Sequence, residues 1–195
     1  MAINLEKGQR ISLEKNGSLS QVFMGLGWDM VQQKSGGFLG KLFSKSEKNI
    51  DLDASCVLLD AAKNVVDIVY FGQLRSRDGS VQHTGDNLTG EGEGDDEVIN
   101  VNLGAVPANV QYLVFTVSSY SGQTFDQIAN AFCRLVDART NQELARYTIT
   151  GGGSFTGLIL ASLYRHNNEW KMRAIGESGQ STTAHDLAAM IQRCI

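Results

Sequence analysis

The chain has 195 residues, of which 42% are hydrophobic and 19% charged, with 21 glycines, a single proline and a formal charge of −4. A chain of this size buries enough surface to hold a core without covalent staples, and one proline leaves no proline-rich linker to divide it; we read one domain over residues 1–195. The acidity excludes nucleic acid as a natural partner, because no Lys or Arg occurs between Arg77 and Arg134 and a negative surface repels a phosphate backbone.

Cys56, Cys133 and Cys194 are odd in number and far apart, a pattern of neither a disulfide framework nor a thiolate zinc site. A reducing cytoplasm is the expected compartment. No charged segment followed by a short apolar run opens the chain, and no apolar stretch approaches the ~20 residues that span a bilayer. The expectation is a soluble protein, not exported and not itself membrane-spanning.

In chain order, Arg10 to Leu13 and Gln21 to Leu26 read as short strands, the second running into Gly25-Leu26-Gly27-Trp28-Asp29, where the glycines indicate close backbone approach. Residues 31–49 are rich in Gly, Ser and Lys and read as an inserted flexible loop. Asp51 to Leu59 alternates and then runs apolar, like a strand passing from a wet rim into a core, with Asp51 and Asp53 on one face. Val65 to Phe71 is a further strand, and Asp78-Gly79 marks a tight turn before Val81 to His83. Val98 to Leu103 sets Ile99, Val101 and Leu103 against Asn100 and Asn102, a half-buried strand.

Tyr112 to Tyr120, Ala131 to Asp137 and Glu143 to Thr150 continue the strands, with a short helix or turn over Thr124 to Asn130. Phe155 to Tyr164 and Glu169 to Ile175 flank His166-Asn167-Asn168 as a hairpin. A helix is expected over Thr183 to Arg193, where Leu187, Met190, Ile191 and Cys194 share a face and Thr182 or Thr183 supplies the N-cap. Many short strands and one terminal helix make an all-β protein: a β-sandwich of two mainly antiparallel sheets with short helices, one at the C-terminus.

Between the strands ending at His83 and starting at Val98 lies Thr84 to Glu97, with six acidic residues from Asp86 onward, no basic one, and glycine at 90, 92 and 94. Two carboxylates about 4 Å apart repel by roughly 4 kcal/mol at an effective dielectric near 20, so gathering several calls for a cation or a partner. Twelve residues from Asp86 to Glu97 invite comparison with an EF-hand, but the third, fifth and sixth positions are Leu88, Gly90 and Glu91, which break that pattern. The donors still suit Ca²⁺: the carboxylates of Asp86, Asp95, Asp96 and Glu97, the Asn87 amide, the Thr89 hydroxyl and glycine carbonyls such as that of Gly92 are all hard oxygens. Asp29 and Asp53, at strand ends flanking the insertion, are candidates to complete the site. Gly90 to Gly94 is no phosphate cradle, since its glutamates repel phosphate and no lysine accompanies it. His83, His166 and His185 are too scattered for zinc and read as surface or turn residues. Trp28 and Trp170 read as packing residues. With no nucleophile and no Arg or Lys clamp near the acids, we expect no catalytic residues and no enzyme; the alternative is a metal-dependent phosphoester hydrolase using the same carboxylates.

The stretches Gly25 to Asp29, Asp51-Leu52-Asp53-Ala54-Ser55, Asp78-Gly79-Ser80-Val81 and His83 to Glu97 resemble the TerD family of tellurium-resistance proteins, and the likeness continues through Phe125 to Ile128, Arg134 to Asp137 and Glu169-Trp170-Lys171 over nearly the whole chain. The resemblance implies a sandwich that binds Ca²⁺ through the acidic loop and neighbouring aspartates, without catalytic activity. It also implies a cytoplasmic stress-response role in tellurium resistance, peripheral to the inner membrane in one version. The implied partners are other tellurium-resistance proteins, including inner-membrane components.

Overall fold

The computed structural model describes residues 2–13, 19–30, 52–85, 94–167, 169–181 and 183–195, with the backbone alone at Asp29, Met30 and Thr150. The predicted insertion at 31–49 and Asp51 fall outside them. Among the described residues twelve strands follow one another: β1 (Ile3–Leu5), β2 (Arg10–Ser12), β3 (Gln21–Met30), β4 (Leu52–Leu59), β5 (Val65–Val69), β6 (Val81–His83), β7 (Glu97–Asn102), β8 (Tyr112–Ser119), β9 (Ile128–Asp137), β10 (Gln142–Thr150), β11 (Gly157–His166) and β12 (Glu169–Gly179). A 3₁₀ turn at Phe125–Gln127 leads into β9, and the helix α1 (Ala184–Cys194) follows β12.

The strands form two six-stranded sheets. Sheet A runs β1-β10-β9-β3-β7-β6 and sheet B runs β2-β12-β11-β8-β4-β5. All pairings are antiparallel except β1 with β10, so the expected all-β sandwich is what the chain forms. β1 is the strand that the sequence pattern did not reveal; three residues, two of them exposed, carry too short a pattern.

Alternation explains the layering. Met24 and Leu26 of β3, Ile99 and Val101 of β7, and Cys133 and Leu135 of β9 point inward from sheet A; Leu52, Ala54, Cys56 and Leu58 of β4 and Leu113, Phe115 and Val117 of β8 meet them from sheet B in one buried cluster. Trp28 and Trp170 join this cluster, as packing residues should.

β4 departs from its predicted reading in an instructive way. All eight of its residues are buried, not because the strand sinks from rim to core but because both of its faces are covered. Val57 and Leu59 face away from the sandwich into a second cluster with Ile159, Leu187 and Ile191. Those last two belong to α1, whose apolar stripe lies across the outer face of sheet B; fully burying each of them stabilises by about 1.5–3 kcal/mol. Thr183 caps the helix, its hydroxyl accepting the Asp186 N–H at 3.2 Å.

Candidate functional site

The acidic segment is suspended between β6 and β7, as its flanks predict. It is entered through Gly85 (φ +120°) and left through Gly94 (φ +118°), conformations that strain any residue with a Cβ. Asp86, Asn87, Thr89 and Gly92, four of the predicted ligands, lie outside the described residues. The two ends of the segment are fully described, and they show how it is held.

His83 is the clasp. It is buried at 1% exposure, not the surface or turn residue that its isolation in sequence led us to expect. Its Nδ1 accepts the Gly85 N–H at 3.1 Å, which leaves Nε2 as the donor to Glu97 Oε2 at 3.2 Å. Glu97 Oε2 also accepts the Ala54 N–H from β4 at 2.7 Å. One imidazole therefore ties the start of the segment to its end, and the end to the opposite sheet. Ala54 offers its N–H because β5 pairs with β4 only from Cys56 onward, leaving the edge at Ala54 open. The signal for His83 was present: Val81-Gln82-His83 alternates, and His83 shares the buried face of Val81.

Asp95 and Asp96 are fixed against sheet A. The Arg134 guanidinium grips Asp95 with two hydrogen bonds, Nε to Oδ1 at 2.7 Å and Nη2 to Oδ2 at 2.9 Å, a fork geometry that suits arginine to carboxylate. Those bonds raise the Arg134 pKa further above its usual value. Asp96 Oδ2 accepts the Trp28 N–H at 2.7 Å, and the Asp96 N–H donates to Leu26 O at 2.9 Å. The predicted close approach at Gly25 and Gly27 has its reason here. A Cβ on Gly25 would overlap the Asp95 carboxylate, and one on Gly27 would strike the Phe132 ring and lie 3.1 Å from Gly94 O. The outward positions of β3 thus leave a trough of bare backbone in which the end of the acidic segment rests.

Asp29 and Asp53 arrive from distant parts of the chain, and the structure brings their backbones to this place. Asp96 holds the amide of Trp28, the neighbour of Asp29; Glu97 holds the amide of Ala54, the neighbour of Asp53. A register shift in the β3–β9 pairing falls between Asp29 and Met30; such irregularities often sit beside functional segments. The Asp53 side chain is buried and lines a cavity on the outer face of sheet B. The donor chemistry fits a hard divalent cation. Among the described residues no three His, Cys, Asp or Glu side chains gather as a ready metal cluster.

Arg134 extends the network. Its Nη1 reaches Glu143 at 3.4 Å, and Glu143 receives Arg146 through Nε and Nη2, both at 2.9 Å. These contacts, Arg146 first, hold the Glu143 carboxyl below the usual range against the opposing effect of burial. The thiols take no part: burial pushes Cys133 up to about 12 and Cys56 higher still, so both stay protonated and inert.

The fold and the clasped segment define a class, an all-β sandwich whose acidic connection joins two strands of one sheet and is tied to the other sheet through Glu97. A TerD domain profile matches residues 1–193, and the chain belongs to the TerD family, as its motifs indicate. It is 52% identical to tellurium resistance protein TerZ of Serratia marcescens over 186 residues, covering 95% of this chain and 94% of that one. It is 46% identical to stress response protein SCP2 of Bacillus subtilis (strain 168) over 195 residues, covering 96% and 98%. Among solved structures, a homologue of telluride resistance protein (TerD) from Streptomyces coelicolor A3(2) is similar with a TM-score of 0.67 at 20% identity, covering 90% of this chain and 98% of that one; at that identity the likeness concerns the fold. This is a tellurium-resistance and stress-response family, and these relatives are named for resistance or stress rather than for a reaction. No helix among the described residues is long and apolar enough to cross a membrane.

Proposed function

We propose that the chain is a calcium-binding, non-enzymatic domain that serves a tellurium-resistance and stress-response system as a Ca²⁺-dependent interaction module. The supporting observation is the double anchoring of the acidic segment, through Asp96 to the amide beside Asp29 and through Glu97 to the amide beside Asp53. The backbones next to Asp29 and Asp53 are thereby held beside the end of the acidic segment, and mutual repulsion among carboxylates gathered there favours a cation.

In this reading Asp86, Asn87, Thr89, Gly92 and Asp96 supply ligands, with Asp29 and Asp53 from the flanking strands. Asp95 and Glu97 fix the frame through Arg134 and His83, while keeping lone pairs that a cation can share. Bound Ca²⁺ would supply charge neutralisation and six to eight oxygen contacts, turning a self-repelling segment into a docking surface. The partners are other proteins of the resistance system, inner-membrane components included, met from the cytoplasmic side. The hydrolase alternative gains little from the geometry, because the imidazole beside Glu97 is buried and committed to Gly85 and Glu97.

Calorimetric titration with Ca²⁺ tests the proposal directly. A cytoplasmic sensor requires a dissociation constant of roughly 10⁻⁷ to 10⁻⁵ M, and ligand at 100 times that value adds about 2.7 kcal/mol of stability. Absence of both binding heat and a shift in melting temperature at millimolar Ca²⁺ would refute it.

A further inference from the structure

Two arginines stand side by side on the outer face of sheet B. Arg10 of β2 lies directly opposite Arg173 of β12, and Arg173 lies opposite Ser162 of β11. Register turns all three outward, because Met172, Ala174, Ala161 and Leu163 enter the inter-sheet core and Ile11 packs against it. Side chains directly opposite in an antiparallel pair start roughly 4.5–5.5 Å apart, and like charges set there are destabilising. The pairing therefore carries a repulsion that a counter-ion relieves.

Other arginines of the sandwich are satisfied within the chain. Arg134 and Arg146 share Glu143, and Arg165 donates to the Val110 and Val106 carbonyls at 3.2 and 2.8 Å while lying over the Trp170 ring. Arg173 makes one hydrogen bond, from Nη1 to Cys194 O at 2.9 Å, and its buried Nε has no partner. Arg10 is exposed and has no ion pair among the described residues.

A cavity of about 240 Å³ lies over the pair, lined by Arg10, Arg173 and Ser162 together with Tyr112, Tyr164 and the committed Arg165. The two tyrosine rings stack at 6.5 Å between centroids, 21° from parallel, an apolar wall with two hydroxyls. His166 and Ile195 complete the described lining, and the Ile195 main-chain oxygen accepts from Lys63. No Asp or Glu is among these described residues. The acids nearby on this face are engaged: Glu169 takes the Ser12 hydroxyl at 3.1 Å, and Glu177, in an adjoining groove that Arg173 also lines, holds Lys7 at 2.9 Å.

We propose that this cavity binds the phosphate group of a small phosphomonoester. Guanidinium forks match phosphate oxygens in pairs, and a phosphate dianion answers both positive charges where a single carboxylate answers one. The Ser162 and tyrosine hydroxyls add donors, and the tyrosine wall receives the organic body of the ester. The volume falls below the ~300–1,000 Å³ of sites for drug-sized ligands, which suits a small carrier. The site goes beyond the calcium reading and is independent of it, since none of its lining residues is a candidate calcium ligand.

The test is an NMR titration of the full chain in calcium-free buffer with phenyl phosphate and with inorganic phosphate, against acetate and chloride at equal ionic strength. We expect saturable one-site binding of phosphate with shifts centred on residues 10–12, 162–166 and 171–173. Tighter binding of phenyl phosphate would identify an ester as the source, and equal binding of both the free anion. Arg10→Glu sets opposite charges face to face, so it should fold at least as well as the parent chain while weakening phosphate binding about tenfold or more. Arg173→Lys, which keeps the charge and loses the fork, should weaken it as well. Failure of both phosphates to saturate, the same shifts with acetate or chloride, or unchanged affinity in Arg10→Glu would overturn the proposal. Arg10→Glu leaves every candidate calcium ligand intact, so a calcium titration of that variant separates the two readings: either ligand can fail to bind without the other.

Discussion

The two sheets share one core but finish their outer faces by opposite means. Sheet A covers its glycine trough with charge: Asp95, Arg134, Glu143 and Arg146 form a ladder across β9 and β10, with Arg134 over the Phe23 ring at 5.7 Å and Arg146 over Phe132 at 4.7 Å. Sheet B covers its face with a helix, through Val57, Val114, Ile159, Leu187 and Ile191. The charged finish holds the end of the acidic segment in place; the apolar finish contributes stability and leaves a cavity at one end. Charge ladders of this kind are partly exposed and contribute little to stability, whereas the helix contributes by burial.

The comparison can be broken at its joint. Glu97 is the residue of sheet A that reaches sheet B, and Glu97→Ala strands both the Ala54 N–H and the His83 imidazole in a dry place. A loss of about 3–5 kcal/mol in urea unfolding is expected. Glu97→Gln keeps an oxygen for both donors and should cost far less, which separates the lost acceptor from the lost charge. On the helical side, Ile191→Ala should cost about 2–4 kcal/mol by the same measurement, through lost transfer and the cavity left behind. Thr183→Ala removes the cap and should cost about 1 kcal/mol.

The smallest effect belongs to the charged ladder and is best seen against pH. The Glu143 carboxyl is held below the usual range in the folded chain. Its contribution is therefore complete above the ordinary carboxylate pKa and is lost as pH falls through the lowered folded value. Glu143→Gln should flatten the acid limb of a stability profile while changing stability near neutrality by less than about 1 kcal/mol. A larger loss at neutral pH would mean that the ladder carries weight comparable with the helix, and the contrast between the sheets would dissolve.

Much of this was legible in the chain. Every strand but β1, though not every strand end, the hairpin at His166 and Asn167, the turn at Asp78-Gly79 and the capped amphipathic α1 follow from local pattern, because alternation and helical spacing are written over short windows. The acidic segment announced its need for a counter-charge through composition alone, and its family through its motifs. His83 was misread because a lone histidine gives no sign of its partner fourteen residues on; only the pairing of β6 with β7 sets it opposite Ile99, two residues from Glu97. Arg134 gave no sign either, since its carboxylate lies thirty-nine residues away.

By itself the sequence determined an all-β sandwich, a concentration of carboxylate between two strands and the hard-oxygen chemistry that suits it. Only the tertiary structure decided what that segment leans on. The glycine trough on β3, the amide of Ala54 left open where β5 ends, and the pairing of Arg10 with Arg173 are products of strand register and sheet packing. Those bring together residues that no local pattern relates, because the hydrophobic burial that pairs the strands is indifferent to which polar groups it carries to the edge.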